Sequence, residues 1–285
     1  VFNGTDPNGT WSLYVVDDAN QDAGLISGGW QLRFTVPTVF TVNSAADPGD
    51  GTCDVTCTLR DAIIAANASA TGSDLIAFSS NFNIPQTINL QTALPDITKA
   101  VTINGPGANL LTVRRSFNAA TDFRIFTITG GITNGVAISG MAISNGWVSD
   151  LGGGISSFSS LTLTNLHVTG NSATGSGGGL ILAFADGVFT NCTFSGNTTP
   201  GIGGAIYFLG DGGHTLRIAD STISGNFASQ GGSILNGNGS ASNSRLEVSN
   251  STITNNSAIN NVTSAGIFNV ATIAGGSITA TIRNS

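Results

Sequence analysis

Three groups of residues have the types and spacing that chemistry requires. The stretch Asp18-x-Asn20-x-Asp22-x-Gly24 places oxygen ligands at alternate positions, as calcium loops do. Its glycine falls one place late for an EF-hand, and Gly29 stands where a bidentate glutamate would close the site. The same residues also make a polar hairpin turn, so calcium is the only cofactor suggested and an ordinary turn is the alternative. Asp47, Asp50 and Asp54 cluster around Gly49 and Gly51, as a cation site or as a set of Asx turns. Cys53 and Cys57 lie four residues apart, and Cys192 is alone. Zinc needs about four nitrogen or sulfur ligands, and the only histidines, His167 and His214, are far off in the sequence. A disulfide between Cys53 and Cys57 in an oxidising compartment is the expected state, with Cys192 a small buried side chain inside a strand.

The acids Asp150, Asp186, Asp211, Asp220 and Glu247 are scattered. Glycoside hydrolysis usually needs two carboxylates at a set separation. Elimination on an acidic sugar needs a base and usually a calcium clamp. These acids share no repeat position, so no catalytic residue is assigned and they are not expected to meet on one face. Phe184, Phe189 and Phe208 offer either a sugar-stacking groove or core, and core is the expectation. Arg217 and Glu247 are expected to face each other on adjacent coils as a surface ion pair. Sequons such as Asn191-Cys-Thr193 and Asn250-Ser-Thr252 follow from the Asn- and Thr-rich composition and do not argue for glycosylation.

The elements that position these residues are short strands. The 285 residues are 40% hydrophobic and only 9% charged, with 39 glycines, a net charge of −7 and a single lysine, Lys99. Short alternating runs of Val, Ile, Leu and Phe can bury a core, which excludes disorder. No run reaches the ~18 apolar residues of a spanning helix. Arg114 and Arg115 are the only adjacent cations, so nucleic acid and anionic lipid are excluded as partners.

Residues 1–36 read as a hairpin, Trp11–Val16 and Trp30–Val36 around a polar loop, too small to bury a face alone. The run Asn3-Gly-Thr-Asp-Pro-Asn-Gly-Thr-Trp-Ser-Leu13 with Gly28-Gly-Trp-Gln-Leu32 resembles the end of the P domain found beside subtilisin-like convertases. That resemblance implies the C-terminal fragment of a β-sandwich.

Residues 37–86 read as a linker and cap. Thr58 and Asp61 form a capping box, and Leu59, Ala62, Ile63 and Ala66 make one apolar face of a helix over about 58–67. Cys57-Thr-Leu-Arg-Asp-Ala-Ile63 resembles the signature of the CSLREA domain, with Thr58 for Ser and Asp61 for Glu. In such proteins this segment leads into a β-helix.

Residues 87–285 repeat. Val168-Thr-Gly-Asn171 recurs as Phe194-Ser-Gly-Asn197, Ile223-Ser-Gly-Asn226 and Ile253-Thr-Asn-Asn256, after 26, 29 and 30 residues. Ile143-Ser-Asn145 reads as a shorter early version. Asn165, Asn191, Asp220, Asn250 and Asn284 form a second track, and Gly152-Gly-Gly-Ile155, Gly177-Gly-Gly-Leu180, Gly203-Gly-Ala-Ile206 and Gly231-Gly-Ser-Ile234 a third. Self-similarity at this period marks a solenoid whose coils bury a core only by stacking.

The expected fold is all-β: a right-handed parallel β-helix with one N-terminal capping helix. Asn171, Asn197, Asn226 and Asn256 are expected to stack as an amide ladder, as are Asn165, Asn191, Asp220 and Asn250. Ile282-Arg-Asn-Ser285 matches Val248-Ser-Asn-Ser251, so the chain is expected to stop partway through a coil. Phe194-Ser-Gly-Asn197 with Gly203-Gly-Ala-Ile206 resembles the paired tetrapeptides of polymorphic outer membrane proteins, bacterial passengers associated with adhesion. The resemblances imply a secreted bacterial, extracellular or cell-surface module that binds a glycan or a cell-surface or matrix protein without catalysis. A polysaccharide lyase or hydrolase on a pectate-lyase-like helix is the alternative.

Overall fold

The computed structural model describes residues 37–285 except 71, 239–242, 260–264 and 272–277. The P-domain-like segment and the calcium candidates Asp18, Asn20 and Asp22 lie outside the described residues. Contacts divide the chain into two units, 1–36 and 37–285. The second is a parallel β-solenoid with one helix.

Each full coil carries strands on three principal faces. The first face stacks, in order, Val39–Val42, Asp74–Phe78, Val101–Asn104, the first half of Val136–Ser144, the first half of Leu161–Thr169, Gly187–Thr190, Thr215–Ala219, Arg245–Ser249 and Thr279–Arg283. The second face stacks Gln86–Leu90, Leu111–Arg115, the second halves of the two nine-residue strands, Thr193–Ser195, Thr222–Ser224 and Thr252–Thr254. The third runs from Phe126–Ile128 through Ile155–Ser157, Leu180–Ala183, Ile206–Leu209 and Ile234–Asn238 to Ile267–Ala271. Among the described residues the strands of these three faces pair in parallel. Ile138, Leu163, Phe189, Ile218 and Val248 therefore stack down the inside of the first face, each almost fully buried. A side chain of this kind contributes about 1.5–3 kcal/mol on burial.

The corner between the first two faces explains one sequence track. Asn165, Asn191, Asp220, Asn250 and Asn284 have φ between 48° and 55°. Asn and Asp tolerate this left-handed conformation better than other residues with a Cβ. Across the exposed side chains, Asn191 Nδ2 donates to Asn165 Oδ1 at 2.7 Å and Asn250 Nδ2 to Asp220 Oδ1 at 3.3 Å.

The second track lies inside the solenoid. Asn171 donates from N–H and Nδ2 to Asn197 Oδ1 at 3.0 and 3.1 Å. Asn197 does the same to Asn226 at 2.9 Å each, and Asn226 to Asn256 at 3.0 and 2.9 Å. Each amide also donates one coil back to a backbone carbonyl, Asn197 Nδ2 to Val168 O at 2.9 Å. Gly146, not Asn145, takes the corresponding place in the coil before: its N–H donates to Asn171 Oδ1 at 2.9 Å. Asn145 has φ 57°, like Gly170, Gly196 and Gly225 beneath it.

The glycine runs precede the third face. Gly203 has φ +70°, and a Cβ on Gly204 would lie 2.3 Å from the Gly232 carbonyl oxygen. The first glycine turns the chain and the second lets adjacent coils touch.

Among the described residues the stack already includes Val39–Val42, ahead of residue 87, because that strand pairs with Asp74–Phe78. The helix α1 (Leu59–Ala68) is an excursion between these two strands, which is why no repeat is legible there. Both halves of the Thr58–Asp61 capping box are formed. Leu59, Ala62, Ile63 and Ala66 are buried against the first two strands, and among the described residues Val39–Val42 is the terminal strand of the first face.

Candidate functional site

The aromatic side chains divide. Phe189 and Phe208 are core, with no exposed surface, whereas Phe184 is 50% exposed and Phe158, one coil earlier, 40%. Both exposed rings lie on the turn from the third face to the first. Their centroids are 6.5 Å apart with planes inclined by 30°. The alternation Leu180, Leu182, Phe184 directs Phe184 inward, but its φ of 56° reverses that phase. A bulky residue in this conformation is a genuine outlier, with a cost of order 1–3 kcal/mol. The turn is held by its backbone: Phe184 N–H donates to the Leu209 carbonyl at 2.8 Å, and Ala185 is buried beneath. Under Phe158, Ser159 Oγ donates to the Thr129 carbonyl at 2.7 Å and accepts from Ile132 N–H at 3.0 Å.

The same turn gathers titratable groups. Asp186 Oδ1 accepts from Thr215 N–H at 2.7 Å and lies 3.7 Å from His214 Nδ1. That contact is an ion pair only while the imidazole is protonated. Asp211 sits in the turn of the next coil, with a buried Oδ1 that has no hydrogen-bond partner. Burial, and then the charge of Asp211, push the Tyr207 hydroxyl above its ordinary pKa. Asp186 thus meets His214 of the next coil, and Asp211 lies beside Tyr207. Ile206 to Leu216 is three residues longer than Leu180 to Gly187 one coil before, and the insertion hides the approach of His214 to Asp186.

The other acids are engaged elsewhere. Asp150 pairs with Arg124 at 2.9 Å. Glu247 accepts from Arg217 Nε at 2.8 Å on the adjacent coil and from Arg245 at 2.7 Å. Asp47 binds Arg60 through both carboxylate oxygens, at 2.8 and 3.2 Å. Asp50 and Asp54 each accept from the backbone N–H two residues on, as Asx turns do. Asp61, fully buried, accepts from Thr58 N–H, Thr58 Oγ1 and Gly51 N–H. Among the described residues, no three His, Cys, Asp or Glu converge as a metal-ligand set.

Cys53 and Cys57 form a disulfide. Cys192 is buried and free, at the corner between Gly187–Thr190 and Thr193–Ser195 rather than within a strand. It heads a rank the sequence reading missed. Cys192 N–H donates to Ser221 Oγ at 3.0 Å, Ser221 N–H to Ser251 Oγ at 3.1 Å, and Ser251 N–H to Ser285 Oγ at 3.2 Å. The available signal was the residue after the last four corner positions, Asn191, Asp220, Asn250 and Asn284: Cys, Ser, Ser, Ser. Burial pushes the Cys192 thiol up to about 11. Compared with known protein families, curated proteins and solved structures, the chain shows no match.

Proposed function

We propose that this chain is a bacterial extracellular or cell-surface module that acts by binding, through the side of its solenoid, to a glycan or to a cell-surface or matrix protein. The observation that carries the reading is the outer side of the second face. Thr193, Thr222 and Thr252 stack in register there, beside Ser195, Ser224 and Thr254. Neighbouring strands lie about 4.8 Å apart, so the hydroxyls form two regular ranks without charge. The core and ladders beneath hold them rigid, and a preorganised surface loses little entropy on binding an extended partner. The Cys53–Cys57 disulfide supports an oxidising compartment, and the Cys57–Ile63 run supports kinship with CSLREA-type β-helix proteins.

A second reading, a polysaccharide lyase or hydrolase, is favoured by the meeting of Asp186 and His214. One experiment separates the two. The whole chain is incubated with pectate, alginate, chondroitin and xylan with added calcium, and its binding to cells and matrix proteins is titrated in parallel. Saturable binding without product release is the expected result. Sustained product release overturns the reading in favour of an enzyme. Neither binding nor release overturns it in favour of a spacer.

A further inference from the structure

We propose that the turn bearing Phe158, Phe184, Asp186 and His214 is a binding site for a neutral oligosaccharide, two pyranose rings lying on the paired phenyl faces. The proposal rests on the binding reading above and gives it a site and a ligand class. Phe158 and Phe184 stack across two coils, with centroids 6.5 Å apart, planes inclined by 30° and both side chains about half exposed. An aromatic face takes up the C–H face of a sugar by burying apolar area against it.

The backbone at Phe184 argues against an incidental exposure. Its φ of 56° suits glycine, yet a phenylalanine stands there, and the same twist turns the ring outward. An observed outlier of this kind points toward function. In the register of the third face, Ala183 lies opposite Leu209, so the next coil has Gly210 opposite Phe184 and no side chain there to cover the ring.

Sugar hydroxyls need acceptors and donors beside the apolar platform, and the turn supplies both. The Thr215 N–H donates to one oxygen of the Asp186 carboxylate, the His214 ring lies 3.7 Å from the same oxygen, and the side chain stays 58% exposed. A carboxylate accepts hydroxyl protons and an imidazole can donate or accept. Charge sets the ligand class. Residues 158–160, 184–186 and 210–214 contain no Lys or Arg, and Asp186 and Asp211 are acidic. Uronate and sulfated polymers meet like charge here, so the ligand is neutral.

The test is calorimetric titration of the whole chain with cellohexaose and chitohexaose, and with hexagalacturonate as the anionic comparison. Saturable binding of a neutral hexamer is expected, with no binding of the anionic one. Phe184→Gly removes the ring and fits the backbone, so its thermal midpoint should hold or rise while affinity falls about tenfold or more. Phe158→Ser should weaken binding similarly. The site is refuted if no neutral hexamer binds, if the anionic hexamer binds as tightly, or if both variants bind like the parent. A chain that still binds cells or matrix when this site fails keeps the broader reading, and a chain that binds nothing loses both.

Discussion

Replacing the fully buried Asn197 with leucine removes four hydrogen bonds at once. Two are donated by its amide, to Asn226 Oδ1 and to the Val168 carbonyl, both at 2.9 Å. Two are accepted by its Oδ1, from Asn171 N–H at 3.0 Å and Asn171 Nδ2 at 3.1 Å. Asn171 Nδ2 keeps the Ile143 carbonyl, and Asn226 Oδ1 keeps the Asn197 N–H. The Asn171 N–H and the Val168 carbonyl lose this partner. At about 1–3 kcal/mol for each such buried group, the cost is about 2–6 kcal/mol. Leucine recovers little by burial, because the Asn197 amide is packed against Gly179, where a Cβ would already lie 3.0 Å from Asn197 Cγ. That is a large share of the about 5–15 kcal/mol that holds a typical domain folded. Urea unfolding measures the total. Because long repeat arrays depart from two-state behaviour, amide exchange locates it: the Asn171 amide should lose protection while those of α1 do not. Asn197→Asp is the companion variant. It keeps an acceptor but sets a carboxylate against the Val168 carbonyl and Asn226 Oδ1, which raises its folded pKa. Its stability should be fullest in acid, below the unfolded value of about 3.9, and be lost as pH rises through the folded value. An unchanged urea midpoint with a protected Asn171 amide in the leucine variant refutes the ladder argument, as does a companion variant that gains stability toward neutral pH.

Ile63→Asp puts a charge into the contact between α1 and the terminal strands, and a bared strand end pairs with other chains. Light scattering should show association together with a lower melting point, and a stable monomer would show that α1 is not a cap. Gly49→Ala places a Cβ 2.0 Å from Asp61 Oδ2. It should displace that carboxylate from the capping box at a cost of about 0.5–2 kcal/mol, so an unaltered thermal midpoint counts against the packing described. In folded protein at about pH 8, Cys192 should resist alkylation, because only the thiolate reacts. Its thiolate fraction should rise only as pH climbs toward about 11. An unreduced digest should contain the Cys53–Cys57 peptide, and rapid labelling of Cys192 near neutral pH is the contrary result.

Legibility in the sequence followed the mechanics of stacking. The capping box was readable because it is local: Thr58 and Asp61 satisfy each other's backbone over three residues. The interior Asn rank was readable because the segment from corner to ladder admits no insertion, so each Asn follows its corner residue by six positions: 165 to 171, 191 to 197, 220 to 226, 250 to 256. The Asn145 assignment failed for a different reason. Asn and Gly both tolerate positive φ, so Asn145-Gly146 exchanges the order of Gly170-Asn171 while keeping the composition.

The candidate site was legible only in pieces, for the same mechanical reason reversed. A coil must stay in register where its side chains point inward, but the turns outside the core can lengthen at little cost. The turn from the third face to the first does so between Ile206 and Leu216, and periodicity is lost where His214 meets Asp186 of the coil before. Phe184 escaped for a related cause. Period-two alternation assumes extended backbone, and one residue at φ 56° turns an expected core ring into an exposed one. In a solenoid the repeat therefore specifies the scaffold, while the chemistry gathers where the repeat is interrupted. The departures from period, more than the motifs that keep it, are where a binding site in such a chain should be sought.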